Sequence, residues 1–405
     1  MGIVQIRLLI DAWDCFLYSG LLFIINTNNV LRVYDWPKVI LKITNYENEL
    51  ALKCAMLRSD FVYNDMWENE FNSLTFFERL RTSVKIASSG EFQLTEAEIN
   101  HALIMECQNP VDDLSTAFSV YKNAMYLSHD GGVHELRFHG FKDELELHTA
   151  EKIWDGHVVS LVGGANSALA FGAGSDGTHR YRTIDNKMPF KDAGKVSLLS
   201  PHHTTAVDWT GVGLFRSSVL SPGELLTAAP PAPRIKQIGA TTRSIERQLT
   251  AMSFEFEQVD YSWGVRNRIF TLVDGTLKVY SYQYQHLLDE AALKPDLKPA
   301  SVLKLEKNIR LDHWKGGVVS AGASSFGVII ECKNALVVLG ASGESTKTII
   351  ESVARWRVYN RSKFYQNQLH IINEADILLM GFTDDFFVKY YKDRIVAVSR
   401  VKDYN

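Results

Sequence analysis

The feature that most limits what this chain can become is a tight turn between β-rich runs, which recurs seven times along 405 residues. The turns fall at Asn28-Asn29, Asp130-Gly131, Asp176-Gly177, Pro222-Gly223, Asp274-Gly275, near Asn334, and at Asn373-Glu374. Asn or Asp followed by Gly or Asn accepts the positive φ angles of a two-residue hairpin turn. The flanking runs, such as NRIFTLV before Asp274 and TLKVYSY after Gly275, have the β-branched and aromatic content of strands. From the second turn onward the intervals are 46, 46, 52, 60 and 39 residues, and the first interval is 102.

A spacing near 45 residues is that of a four-stranded blade, and antiparallel strands repeated radially hide their edges. The long first interval then holds one blade and an insertion of nearly 60 residues. The expected fold class is all-β, a seven-bladed β-propeller with an α-helical insertion. Its expected parts are a first blade and closing strand at 1–45, a helical acidic insertion at 46–113, and the remaining blades at 114–405. Within the insertion Leu52, Ala55 and Met56 share one helical face, Phe76, Phe77, Leu80 and Val84 a second, and Ile99, Leu103 and Cys107 a third. Thr95 with Glu98 reads as a capping box opening the last helix. Val4, Ile6, Leu8 and Ile10 alternate as in a strand, and Ile395–Val398 supplies a last β run, so a blade built from both ends of the chain would close the ring.

Gly156-His157 followed by VVSLV, then ALAFGAGSDGTHRYR and the His-led HHTTAVDW, resemble degenerate WD40 repeats, and Tyr34-Asp35-Trp36 after LRV looks like the end of such a blade. No blade carries the full signature, and one carries a clear Gly-His pair. The resemblance implies a rigid disc that binds other macromolecules without chemistry of its own. It also implies structural roles for His157 and His313.

The balance of 43 Lys+Arg against 47 Asp+Glu, with 46% hydrophobic residues, belongs to a globular chain, not a disordered or an overall basic one. Cys15, Cys54, Cys107 and Cys332 are far apart and form no CxxC pair, which argues against a zinc knuckle or a disulfide framework and for a reducing, cytoplasmic setting. The apolar run Leu17–Asn26 is short and lacks a basic flank, so it reads as a buried strand, and no membrane association is expected.

Histidines 129, 134, 139, 148 and 157 are conspicuous, but no HxH or HExxH spacing appears and no metal ligand is assigned. There is no GxSxG elbow. The glycines of GGANSALAFGAG lack a strand-to-helix context, and GASGESTK at 340–347 lacks the Gly-Lys-Ser/Thr of a phosphate loop. No catalytic residue and no cofactor is therefore expected. Two stretches point instead to partners. Between Tyr46 and Asp113 there are 13 acidic and 5 basic residues, a net charge of −8 against +4 for the rest of the chain, and Trp67, Glu68, Glu70 and Phe71 set aromatics among those acids. From 355 to 365, Arg355, Trp356, Arg357 and Arg361 belong to a basic, aromatic run in which period-two alternation would align positions 355, 357, 359, 361 and 363.

The reading that follows is a non-catalytic protein-interaction module whose partner is a protein, bound by the insertion and the loops between strands. Two other readings stay open at this point. One is an enzyme with a site at the central channel, and the other is single-stranded nucleic-acid binding through 355–365.

Overall fold

A computed structural model describes residues 2–60, 74–140, 144–164, 168–183, 193–210, 213–218, 220, 223–228, 249–253, 259–282, 303–311, 317–333, 335–341, 343, 346–349, 353–383, 386 and 396. The chain opens with β1 (Ile3–Leu9) and then forms the first blade from β2 (Asp14–Tyr18), β3 (Leu21–Ile25) and β4 (Val30–Asp35). Helices α1 (Trp36–Leu41) and α2 (Glu49–Leu52) follow, the latter running into a π-helical turn at Lys53–Leu57, and then comes α3 (Leu74–Ala87). The excursion ends in β5 (Glu91–Thr95), α4 (Glu96–Ile99) and β6 (Leu103–Gln108).

Seven antiparallel sheets, each built around one hairpin, make this a seven-bladed β-propeller. The first blade has the order β2-β3-β4-β6. The second is β7 (Ala117–Tyr121), β8 (Ala124–His129) and β9 (Gly132–His139), with an outer strand split into β10 (Glu146–Leu147) and β11 (Glu151–Trp154). The third runs β12 (Ser160–Gly163), β13 (Ala168–Gly172), β14 (Thr178–Arg182) and β15 (Val196–Ser200). The fourth runs β16 (Ala206–Trp209), β17 (Gly213–Ser217), β18 (Glu224–Ala228) and β19 (Leu249–Ser253). The fifth comprises β20 (Tyr261–Val265), β21 (Arg268–Val273), β22 (Thr276–Ser281) and β23 (Lys304–Arg310), and the sixth β24 (Val318–Ser324), β25 (Gly327–Cys332), β26 (Ala335–Gly340) and β27 (Thr346–Ile349). The seventh joins β28 (Arg355–Val358), β29 (Gln368–Ile372) and β30 (Ile377–Phe382) to β1.

Five of the expected turns, at 28–29, 130–131, 176–177, 274–275 and 373–374, connect the second and third strands of their blades, and Pro222 and Asn334 of the other two lie outside the described residues. The turn residues supply the backbone the hairpins need: Asn29 has φ of 60° and Asp274 and Gly275 have φ of 43° and 69°. By packing the chain divides into two units, residues 1–156 with 319–405, and residues 157–318. In the second unit Phe215, Leu225, Ile269 and Tyr282 form one apolar cluster, and Ala168, Ala170, Trp209, Leu214 and Leu226 another.

In the first unit β1 does close the seventh blade. It pairs antiparallel with β30, with Ile6 opposite Leu379 and Leu8 opposite Ile377. The partner is thus Ile377–Phe382. Of the run at 395–398 that the sequence suggested for this role, only Val396 is described, and it is a buried bend. A fifth strand, β5, lies parallel against the other edge of β1. Arg7 clasps the two neighbours together, its guanidinium 2.8 Å from Glu91 on β5 and 3.0 Å from Asp376 beside β30.

Among the described residues the insertion carries the helices α2, α3 and α4, and Thr95 and Glu98 form the expected capping box at the start of α4. The third expected helix is corrected. Leu103–Gln108 is the outer strand of the first blade, because Leu103, Met105 and Cys107 also alternate and pair with β4. Segment 46–113 is therefore not dispensable for building blades, since it contributes β5 and β6. Its helices also share one core with the blades. Leu52, Ala55, Met56, Leu80 and Val84 are buried with Val4, Ile6, Leu22, Tyr34 and Leu379. The approach is so close at Gly381 on β30 that a Cβ there would stand 2.8 Å from the Ala55 methyl.

Candidate functional site

Period two along β28 divides its side chains between two neighbours. Trp356 turns toward the sixth blade, its Nε1–H lying 3.0 Å from Ser320 Oγ and 2.9 Å from Glu331 Oε2. Arg355 and Arg357 turn the other way, onto β2 and the start of β7. The strand ends at Val358, so the alternation does not carry on to 361 and 363. Arg361 sits half-buried in the turn that follows. Trp67, Glu68, Glu70 and Phe71 lie outside the described residues.

Asp14, at the start of β2, is the hub of this cluster. Its carboxylate is 2% exposed and accepts from Arg357 Nη2 at 3.0 and 3.2 Å and from Arg355 Nη1 at 3.4 Å. Arg355 also donates to the carbonyls of Ser115 and Thr116 at 3.0 and 2.9 Å. Aromatic faces complete the lining: Arg355 stacks 4.5 Å from the Trp13 ring and Arg357 4.7 Å from Phe16. Burial works against the Arg357 charge, but Asp14 holds the guanidinium firmly protonated. Burial dominates at Arg355 and lowers its value.

A second buried chain of polar groups runs behind the arginines. The Leu17 N–H donates to Tyr359 Oη at 2.9 Å, and that hydroxyl lies 3.1 Å from His370 Nδ1. On the far side, His370 Nε2 is 3.0 Å from Gln368 Oε1, which can only accept. The proton therefore sits on Nε2, and Tyr359 donates to Nδ1. Gln368 is itself fixed by donating to the carbonyls of Ala55 and Met56 at 3.0 Å each. Burial, with the Arg357 charge nearby, pushes His370 down to about 3, so the ring is neutral. Burial likewise pushes the Cys15 thiol and the Tyr359 hydroxyl up. Cys15 Sγ lies 3.9 Å from His370 Nδ1, yet it stays a protonated thiol, and the ring nitrogen that would take its proton is already occupied by Tyr359.

The chemistry of this cluster is therefore that of a clamp. It joins the inner strands of the first and seventh blades through charge and neutral hydrogen bonds. Its members were hard to find from sequence, because Asp14 and His370 are separated by most of the chain. Their one signal is polarity at the edge or middle of an apolar strand, Asp14 ahead of CFLY and His370 within QLHII.

Two surface cavities flank the insertion. One of about 520 Å³ lies between β6 and the β10–β11 link, lined by Met105, Cys107, Leu147 and His148 among others. The other, about 380 Å³, is formed by Trp36, Pro37, Lys53, Leu57, Arg58, Phe364 and Tyr365, with Ser19 and Gly20 at its rim. The expected histidines pair off in the second blade. His129 Nε2 is 3.0 Å from His134 Nδ1, and His139 Nδ1 is 2.9 Å from His148 Nε2. Among the described residues no group of three or more His, Cys, Asp or Glu could hold a metal ion, and no helix is long and apolar enough to cross a membrane.

No protein-family model matches the chain, and no curated protein matches it. Among solved structures it is similar to the computationally designed Ika8 protein, at 9% identity and a TM-score of 0.45, over 93% of this chain and 99% of that one. It is similar to Chaetomium thermophilum Sqt1, solved with the N-terminus of the ribosomal protein L10, at 10% identity and a TM-score of 0.45, over 93% of this chain and 83% of that one. A putative 6-phosphogluconolactonase from Bacteroides uniformis aligns at 10% identity and a TM-score of 0.42, over 67% of this chain and 80% of that one. Likeness at this level says nothing of what the chain binds, and the blade assignment rests on the sheet topology itself.

Proposed function

We propose that this chain is a non-catalytic protein-interaction module, and that the acidic, aromatic stretch Trp67, Glu68, Glu70 and Phe71 is its principal contact with a protein partner. The observation that carries the reading is how firmly both flanks of that stretch are tied down. Before it, Ser59 donates its N–H and hydroxyl to the Phe364 carbonyl at 2.9 and 2.8 Å. After it, Leu80 and Val84 of α3 are buried in the shared core. A rigid base of this kind lowers the ordering cost of binding, and large aromatics among charges are the residues on which interface energy concentrates. Leu41 at the end of α1 and Tyr46 at the start of the insertion are 64% and 83% exposed, apolar surface that a protein partner would cover.

The basic run at 355–365 supports a nucleic-acid reading less well, since Arg355 and Arg357 are already held by Asp14 and by backbone carbonyls. Affinity purification of the full chain from its native cell tests the proposal. Wild type is compared with a Trp67→Ala, Phe71→Ala double variant and with a Glu68→Lys, Glu70→Lys double variant. The proposal expects one protein partner to be lost from both variants, with melting unchanged. Recovery of the same proteins by all three would overturn it, and recovery of nucleic acid in place of protein would favour the 355–365 surface.

A further inference from the structure

We propose that the pocket of about 380 Å³ between α1 and the turn at 361–365 takes one large apolar side chain of an acidic peptide segment belonging to a protein partner. Its floor is apolar and aromatic. Trp36, Pro37, Leu57, Phe364 and Tyr365 line it, and Trp36 and Tyr365 are buried. A volume near the lower end of the range for ligand clefts suits a single side chain with its adjoining backbone.

The walls are held from several elements of the chain. Trp36 Nε1–H donates to the Met56 carbonyl at 2.8 Å, and the Phe364 and Tyr365 N–H groups both donate to Ser362 Oγ at 3.1 Å. Tyr365 Oη accepts the Gly20 N–H at 2.8 Å, and both of those residues line the pocket. That bond uses a lone pair of the oxygen, so the phenolic proton is left to donate, and among the described residues nothing accepts it. Burial pushes this hydroxyl up to about 12, which keeps the proton in place. The pocket thus combines a preformed apolar floor with one buried donor, and a preformed site loses little freedom on binding.

Charge selects the occupant. Lys53 and Arg58 stand at the mouth, with the Arg58 guanidinium 4.8 Å from the Phe364 ring. Lys53 pairs with Glu49 and Arg58 with Asp60, but the two cationic side chains remain 52% and 48% exposed, and pairs so open are weak enough for another carboxylate to take the place of either acid. The turn that carries Phe364 adds Arg361 and Lys363, the cations of the basic run that the Asp14 clamp leaves unused, and among the described residues neither has an ion-pair partner. Cations in this excess favour an occupant flanked by Asp or Glu and disfavour a basic one. Such an occupant presupposes the protein-binding reading above, but the pocket is tested with a synthetic peptide, so that it and the Trp67–Phe71 contact can fail separately.

The probe is a capped pentapeptide, Glu-Glu-Phe-Glu-Glu with a fluorine-labelled ring, titrated into the full chain and followed by its fluorine resonance. The expected Kd is below about 1 mM, and by competition at least tenfold tighter than for the same peptide with Ala at its centre or with Lys in place of each Glu. Phe364→Ala and a Lys53→Glu, Arg58→Glu double variant should each weaken binding at least tenfold. Far-ultraviolet dichroism separates loss of the pocket from loss of the fold, and the reversal of two exposed charges keeps the test open should Phe364→Ala fail to fold. No binding by wild type at millimolar peptide, equal competition by either analogue, or wild-type affinity in either folded variant would overturn the proposal. So would loss of binding in the Trp67→Ala, Phe71→Ala variant alone, which would place the peptide on that stretch instead.

Discussion

Arg357 reaches from the inner strand of the seventh blade to place Nη2 3.0 Å from Oδ1 of Asp14 on the inner strand of the first. The pair spans most of the sequence and is nearly closed to water. Removing one partner of such a pair leaves the other charge stranded, at a cost of about 3–5 kcal/mol. Asp14→Asn should therefore lower the unfolding free energy by that amount, and Arg357→Met by less, since Arg355 still faces Asp14. In a double-mutant cycle the combined variant should lose much less than the sum, which urea titration of the four proteins measures.

His370 gives the stability a defined acid limb. Its value falls from 6.5 to about 3 in the folded chain. Below the ordinary value the unfolded chain binds the extra proton and the folded one does not. The contribution of the neutral ring is thus complete above pH 6.5 and drains away as pH falls toward 3, at about 1.4 kcal/mol per pH unit. The difference in urea stability between wild type and His370→Gln, followed from pH 7 to pH 4, should shrink along that slope. A pH-independent difference would show that the ring is not held neutral.

Blade closure by β1 is testable by truncation. Deleting residues 1–11 strips β30 of its outer partner and exposes an apolar edge, so the shortened chain should lose several kcal/mol and aggregate. Within the strand, Ile6→Ala removes a fully buried side chain opposite Leu379 and should cost about 2–5 kcal/mol, read from the denaturant midpoint.

The packing of the insertion on β30 predicts the outcome of a single methyl. Gly381→Ala drives a Cβ against Ala55 and should destabilise by about 1–3 kcal/mol, and Ala55→Gly in the same chain should restore part of the loss. Replacing the whole of 46–113 with a short linker should unfold the first unit, as loss of the dichroism and tryptophan signals of the native state would report, because β5, β6 and the buried Met56 and Leu80 leave with it.

The hairpins were legible because their information is local. Asn29 and Asp274 occupy positive-φ positions that few other residues tolerate, so the turn is written into two adjacent letters. The closing strand was legible for a related reason, since Val4, Ile6 and Leu8 alternate without interruption. What the local pattern could not say is who pairs with whom. Ile377–Phe382 and the run at 395–398 look alike as apolar stretches, and the choice between them is made by the Asn373 turn that folds β30 back on β29. Leu103 and Cys107 satisfy a helical spacing and a strand spacing at once, and the free edge of β4 decides in favour of the strand. The clamp was illegible because its recognition is between distant residues. Arg355 and Arg357 announce a basic face, but only the fold brings Asp14 under it.

The parallel pairing of β5 with β1 gives the chain an order of assembly. In chain order β5 follows the end of β1 by about 80 residues, while the antiparallel partner β30 begins roughly 280 residues after the end of β5. At about 5–20 residues per second that is an interval of tens of seconds. For that time β1 would be an unpaired apolar strand with both edges bare, were it not that β5 can dock on one of them as soon as α3 has left the ribosome. Pairing with β5 would leave β1 one bare edge in place of two until the last hairpin supplied the other.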